Sequence, residues 1–219
     1  MDIERFIKEL PSLYNNFGTL DVTPEVFDTD SIRNQWAMTN NNVAKLLNFA
    51  VSCLDPDEVY LEVGVLQGAS LCGALYGNTA KAVAVDNWID FPTDPNNESN
   101  RDVVLRRLKE AEIKDRVILF EQDYREFFSQ PHDFKAGVYF YDGEHRYEGT
   151  WDGLELAIPF LADHAIIVMD DYNWSMVKDA TWDWLALHDK NASLIFDLST
   201  PLDSKAWWNG LAAIEWKLK

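Results

Sequence analysis

Two spacings of apolar residues alternate along the chain. Continuous runs rich in Val, Ile, Ala and aromatics recur at Val59–Val63, Lys81–Asp86, Arg116–Glu121, Ala136–Asp142 and Ala165–Asp171. Runs of this length and composition predict buried strands. Between them lie stretches with helical spacing: Val103 to Ala111, Tyr147 to Leu161, and residues 174 to 188. Two further β-rich segments, Ala192–Asp197 and Leu211–Leu218, are joined by a polar, tryptophan-containing linker, as in an antiparallel pair. Ahead of the first strand, Ile3, Phe6, Ile7 and Leu10 have helical spacing and stop at Pro11. Residues 11 to 38 carry the breakers Pro11, Gly18 and Pro24 and predict irregular chain. Asn40–Asn42 then cap an amphipathic helix through Val43, Leu46, Leu47 and Ala50. Residues 89 to 100, with Pro92, Pro95, Asn96 and Asn97, predict a mobile loop. Five apolar strands separated by helices imply an α/β, doubly wound, mostly parallel sheet with helices on both faces. The terminal hairpin brings it to seven strands. One domain is expected, with residues 1–55 as a helical cap and 56–219 as the core.

The first strand runs into Gly64-Val65-Leu66-Gln67-Gly68-Ala69-Ser70, and Leu71–Leu75 continues as a helix. Strand, tight turn and helix start are the parts of a nucleotide-type pocket. Gly64 permits a sharp turn, and Gly68 permits close approach of a ligand to the helix start. The spacing is not G-x-G-x-x-G, which disfavours a nicotinamide dinucleotide. Glu62 is a charge inside an apolar strand and needs a partner.

The other strands end in acids: Asp86, Asp123, Asp142 and the pair Asp170-Asp171. Open parallel sheets bind ligands outside the carboxyl ends of their strands, and Asp86 stands at the distance from Gly64 that suits a ribose. Strands four and five should be neighbours, which puts Asp142 and Asp170 about 5 Å apart. Carboxylates that close repel unless a proton or cation lies between them, and hard divalent cations take oxygen ligands. Asp170 and Asp171 converge only if the strand has ended, because successive strand residues face opposite ways.

Composition narrows the partners. A formal net charge of −18 repels phosphate backbones and anionic membranes, so neither nucleic acid nor membrane is an expected partner. Cys53 and Cys72 lack C-x-x-C spacing and imply no zinc site or disulfide framework. The first residues do not look like a signal peptide and no run is long enough to span a bilayer, so a cytoplasmic location is expected. The tryptophan-rich end and the N-terminal cap are candidate surfaces for a homo-oligomer.

The glycine turn resembles motif I of the class I S-adenosylmethionine-dependent methyltransferases, with Leu66 in place of the usual middle glycine. Asp142-Gly143-Glu144-His145-Arg146-Tyr147-Glu148 and Asp170-Asp171-Tyr172 are similar to segments of metal-dependent small-molecule O-methyltransferases, the macrocin type among them. The resemblance covers residues 59 to 218 and implies a Rossmann-like seven-stranded fold, S-adenosylmethionine as cofactor, and a small-molecule hydroxyl as acceptor. It places Asp86 on the ribose, Asp123 and Tyr124 at the adenine, and Gly64 and Gly68 behind the methionine part. Glu62 orients that loop. It makes Asp142, which also borders the cofactor, a ligand of Mg²⁺ (or Mn²⁺ or Ca²⁺) together with Asp170 and Asp171. Glu144 and His145 are the candidates to take the acceptor's proton, and His145 matches neutral pH better. The segment Trp36–Thr39 is placed to line the pocket, as are some of Trp88, Trp151, Trp174, Trp207 and Trp208. The competing expectations are a non-catalytic S-adenosylmethionine-binding protein and, less favoured by motif I, a metal-dependent hydrolase or hydroxylase.

Overall fold

The computed structural model describes residues 1–24, 38–201, 204 and 206–218. Seven strands form one sheet: β1 Glu58–Val63, β2 Lys81–Asp86, β3 Val117–Glu121, β4 Lys135–Tyr141, β5 Leu161–Met169, β6 Ala192–Leu198 and β7 Leu211–Lys217. Their spatial order is β3-β2-β1-β4-β5-β7-β6. The first five pair in parallel, and β7 runs antiparallel to both β5 and β6. The doubly wound sheet with its antiparallel terminal hairpin is the architecture expected from the pattern.

The helices are α1 Ile3–Glu9, α2 Asn41–Ser52, α3 Ala69–Leu75, α4 Asn100–Glu110, α5 Tyr124–Phe128, α6 Tyr147–Ala157 and α7 Ser175–Leu187. They cover both faces, because alternate residues of the central strands point opposite ways. Tyr60, Val138, Phe140, Ile166 and Val168 join one core with α1 to α4. Leu61, Val63, Tyr139, Tyr141, Ile167 and Met169 join the other with α5 to α7. Asn40 caps α2 by accepting from Asn42 N and Val43 N, a contribution of about 1 kcal/mol.

Local differences from the sequence expectation have identifiable causes. The helix predicted to run to Leu161 ends at Ala157, and a 3₁₀ turn carries Pro159 into β5. Proline lacks the N–H that would continue the ladder. The strand therefore begins four residues earlier than predicted, and His164 pairs with Lys217 of β7. Helix α5 was not predicted, since five residues carry no readable period. The polar loop at 89–100 is tied down, with a Thr93–Ser99 bridge and Asp94 accepting from Asn96 N and Glu98 N. Trp36 and Ala37 lie outside the described residues. Among the described residues, no helix is long and apolar enough to cross a membrane.

Between β1 and β4 the sheet changes its direction of winding. A crevice forms outside the strand ends at such a switch point. Three backbone bonds extend the ladders past the strand ends there: Gly64 N to Val85 O, Asp142 N to Val63 O, and Asp170 N to Tyr141 O.

Candidate active site

A cavity of about 410 Å³ occupies this crevice. Its walls include Gly64, Asp86, Asp123, Tyr124, Asp142 and Asp170, with Glu144, His145 and Asp171 beside them. Nine of the eleven residues singled out from sequence thus meet at one rim. Glu62 and Gly68 do not line it.

The first half of the rim is backbone held by carboxylates. Gly64 has φ +87°, and a Cβ there would sit 1.8 Å from the Asp142 carbonyl oxygen. Only glycine lets the turn and the Asp142 strand end come this close. Leu66, where the resembling motif has glycine, also adopts a positive φ of 48°, and Trp88 Nε1 donates to its carbonyl at 2.7 Å. Asp86 accepts from Val65 N and Leu66 N with one oxygen and from Trp88 N with the other. These bonds shape the turn. Of a carboxylate's roughly four lone-pair sites, about one stays open toward the cavity.

Glu62 lies beneath the turn, fully buried on the α3 face, and accepts from Tyr60 Oη at 2.5 Å and Ser70 Oγ at 2.7 Å. Burial pushes its carboxyl up to about 8 against the lowering effect of those hydroxyls. Gly68 caps α3 in the left-handed conformation. The space a Cβ would take there faces Val104, and Gly68 is not among the residues that wall the cavity. Gln67, Asn100 and Arg107 form a buried network behind it that ties α4 to the turn.

At the next strand end Asp123 caps α5 by accepting from Arg125 N. The Tyr124 hydroxyl donates to Gly149 O, and burial raises it to about 12. The Arg125 guanidinium lies over the Tyr124 ring and binds Asp152 and Glu144 at 2.6 and 2.9 Å. Glu144 is therefore engaged by a cation.

The second half of the rim is crowded with charge. Asp171 has φ +53°, so the chain has left the strand and Asp171 turns toward the cavity, as convergence required. His145 Nε2 lies 2.6 Å from Asp171 Oδ2 and 3.7 Å from Asp142 Oδ1, yet this buried nitrogen makes no well-directed hydrogen bond. One ligand atom from each of Asp142, His145 and Asp171 lies within 4.8 Å of the others. Two carboxylate oxygens and an imidazole nitrogen suit a divalent cation such as Mn²⁺ or Mg²⁺, and the undirected His145 nitrogen fits that use. Two members of the expected ligand set, Asp142 and Asp171, fall in this cluster. Asp170 is buried and turns its Oδ1 back onto Asp171 N, and it stands outside this group, while His145 stands inside it.

Burial pushes Asp142 up to about 6, with Asp171 adding to the shift and His145 opposing it. Burial, then Asp142 and Asp171, holds Asp170 well above the usual carboxylate range. For His145 burial acts downward, and the attraction of the Asp142 and Asp171 carboxylates outweighs it, raising the ring to about 10.

Trp88, Trp174, Trp208 and Met38 line the cavity. Trp207 instead packs into the core against Tyr14 and Phe17, and Trp151 stacks on Tyr147. Asn209 also lines the cavity and donates to Asp171 Oδ1 at 2.5 Å. Sequence reasoning missed it, and no local pattern marks it. A neighbouring open cleft of about 640 Å³, walled by Phe91, Trp174, Met176 and Arg146, joins the corner at His145.

The fold and this rim place the protein among the doubly wound α/β domains that bind ligands at the carboxyl ends of their strands. Residues 61–172, more than half of the chain, match the model of a family described as a methyltransferase domain. The chain belongs to that family and is a methyltransferase.

Among solved structures it is similar to an O-methyltransferase from Bacillus cereus in complex with S-adenosylhomocysteine (14% identity, 80% of this chain and 79% of that one, TM-score 0.57). A Podospora anserina methyltransferase bound to S-adenosylhomocysteine is similar at 15% identity, 87% and 82% coverage and TM-score 0.58. So is a TDP-rhamnose 3'-O-methyltransferase of calicheamicin biosynthesis, at 20% identity, 79% and 77% coverage and TM-score 0.57. No curated protein matches the sequence.

Proposed function

We propose that the protein transfers the methyl group of S-adenosylmethionine to a hydroxyl oxygen of a small molecule, with a divalent cation assisting at Asp142, His145 and Asp171. The observation that carries this is the meeting of those three side chains at the switch point, beside the Gly64 turn. The S-adenosylhomocysteine held by similar structures supports the cofactor. The acceptors implied by similar O-methyltransferases, a sugar nucleotide among them, support oxygen as the nucleophile.

In the reaction the acceptor oxygen attacks the methyl carbon, a C–O bond forms, the C–S⁺ bond breaks, and sulfur keeps the electron pair as the thioether. The hydroxyl proton would pass to water in the open cleft beside His145. The protein's part is to hold oxygen, carbon and sulfur close and in line. The Gly64–Leu66 turn, Asp86 and the Asp123–Tyr124 step would seat the nucleoside. The acceptor would enter by the apolar cleft at Phe91, Trp174 and Met176, next to His145. A cation held by Asp142, His145 and Asp171 would supply Lewis acidity that lowers the acceptor's pKa. Without it His145 is protonated at neutral pH, and its service as ligand or base requires the neutral ring. The strongly acidic chain disfavours nucleic acid as acceptor.

Calorimetry with S-adenosylmethionine, and separately with Mg²⁺ and Mn²⁺ before and after chelation, tests both halves. Saturable cofactor binding is expected, and its absence at millimolar concentration overturns the proposal. Release of S-adenosylhomocysteine against a panel of phenols, sugars and alcohols, abolished in Asp142→Ala, then separates an enzyme from a protein that only binds the cofactor.

A further inference from the structure

We infer that Asn209 is a positioning residue for this corner, fixing the Asp171 carboxylate so that one oxygen is presented to His145 and the cation. The inference rests on the proposed use of Asp142, His145 and Asp171.

A carboxylate turns about its last bond in a broad well, so something must choose its plane. Asn209 Nδ2 donates to Asp171 Oδ1 at 2.5 Å, and the other oxygen, Oδ2, is the one 2.6 Å from His145 Nε2. The amide thus occupies one oxygen and directs the second. Asn209 comes from the linker before β7, 38 positions away in sequence.

Main-chain bonds hold that linker in place: Tyr172 N to Gly210 O at 3.0 Å, Asn173 N to Asn209 O at 2.8 Å, and Gly210 N to Trp207 O at 2.8 Å. Gly210 has φ +86°, and a Cβ there would lie 2.4 Å from Asn173 Oδ1, so the two segments are in close contact. Asn173 also exchanges bonds with Thr200. Any residue at 209 would make the backbone bonds. Among the described residues, the Asn209 amide's hydrogen bond goes to Asp171 and not to the strap. Groups that orient metal-binding side chains in this way are worth about 10–100-fold in metal affinity.

The test uses the full chain with Asn209→Leu, which keeps the volume and removes the donor, Asn209→Ala as a second donorless variant, and Asn209→Gln, which keeps an amide. Mn²⁺ affinity is measured by calorimetry, alongside S-adenosylhomocysteine affinity and thermal melting. Asn209→Leu and Asn209→Ala are expected to bind Mn²⁺ at least about tenfold more weakly, with unchanged melting and nucleoside affinity, and Asn209→Gln is expected to recover part of the loss. Wild-type Mn²⁺ affinity in both donorless variants overturns the inference and leaves the proposed function standing. Loss of Mn²⁺ affinity only in step with lowered melting overturns it too, in favour of a structural role. If the wild type binds no Mn²⁺ but turns over, the cation falls from the proposed function. Asn209 is then read from kinetics: a lower kcat at unchanged KM for S-adenosylmethionine sustains its role, and unchanged kcat overturns it. If the wild type binds neither ligand, both readings fall.

Discussion

The two halves of the rim are built on opposite principles. On the Gly64 side nearly every polar group is satisfied internally: Asp86 accepts three backbone amides, and buried Glu62 accepts two hydroxyls. On the Asp142 side, two carboxylates crowd one imidazole beside the buried Asp170, Asp171 holds a left-handed backbone, and a buried ring nitrogen lacks a directed bond. Hydrogen bonds that are complete make a rigid seat, whereas concentrated unpaired charge is tolerated in a core only where a ligand or proton resolves it. On the proposed function, the comparison assigns binding of the nucleoside and chemistry at the acceptor to separate strand ends, joined by the contact of Gly64 with Asp142.

Breaking that contact should have the largest effect. Gly64→Ala places a methyl group on the Asp142 carbonyl at a positive φ. We expect destabilisation of more than about 2 kcal/mol and loss of nucleoside binding, read from the denaturant midpoint and calorimetry.

The next prediction sharpens the division. Asp142→Ala should lower turnover by about 10²-fold or more while S-adenosylhomocysteine still binds. Asp86→Ala should do the reverse in the binding assay, weakening the nucleoside through a turn that has lost charge-assisted bonds of about 1.5–3 kcal/mol each. Equal losses of both properties in both variants would erase the proposed separation.

A smaller, pH-dependent effect belongs to Glu62. Its carboxyl rises from 4.5 to about 8 in the folded protein, so between those values the folded state binds more protons than the unfolded one. Stability falls as pH rises through that window and levels off above it. Glu62→Gln removes this response. Relative to wild type, the variant should gain stability from pH 5 to pH 8 with a limiting slope of about 1.4 kcal/mol per pH unit, measured by urea unfolding at several pH values. A flat difference would show that Glu62 stays charged.

Least affected should be Asp152→Asn. It cuts a part-exposed ion pair with Arg125 and should cost about 0.2–1 kcal/mol, with turnover kept because Arg125 retains Glu144.

Most of the fold was legible because the strands are buried on both faces and end in acids, so hydrophobic runs and terminal carboxylates mark both sheet and rim. What failed to show was direction. A residue's side is fixed by period two only while the strand lasts. Past Met169 the left-handed turn at Asp171 breaks that rule, and Asp170 and Asp171 turn their carboxylates to different partners that no pattern distinguishes. The burial of Glu62 under the turn follows from its pairing with Tyr60, two residues back on the same face, and with Ser70 eight residues on. Gly68 does not wall the cavity, and Val104 lies beside the space a Cβ there would take. Asn209 was invisible because its partner is distant in sequence and the linker between them has no repeating signal.

The reversed course of β7 carries one more consequence. Since this strand runs against its neighbour β5, its beginning lies at the acid-tipped edge, and the loop leading into it delivers Trp208 and Asn209 there. During synthesis the first five strands emerge with every acid they contribute, yet the corner stays open on one side until residues 209–217 have been made and the strand has slotted between β5 and β6. On the inferred role of Asn209, completion of the corner is thereby coupled to the pairing of β7 with β5 and β6, and a shortened chain that retains β1 to β5 would carry the acids without the hand that steadies them.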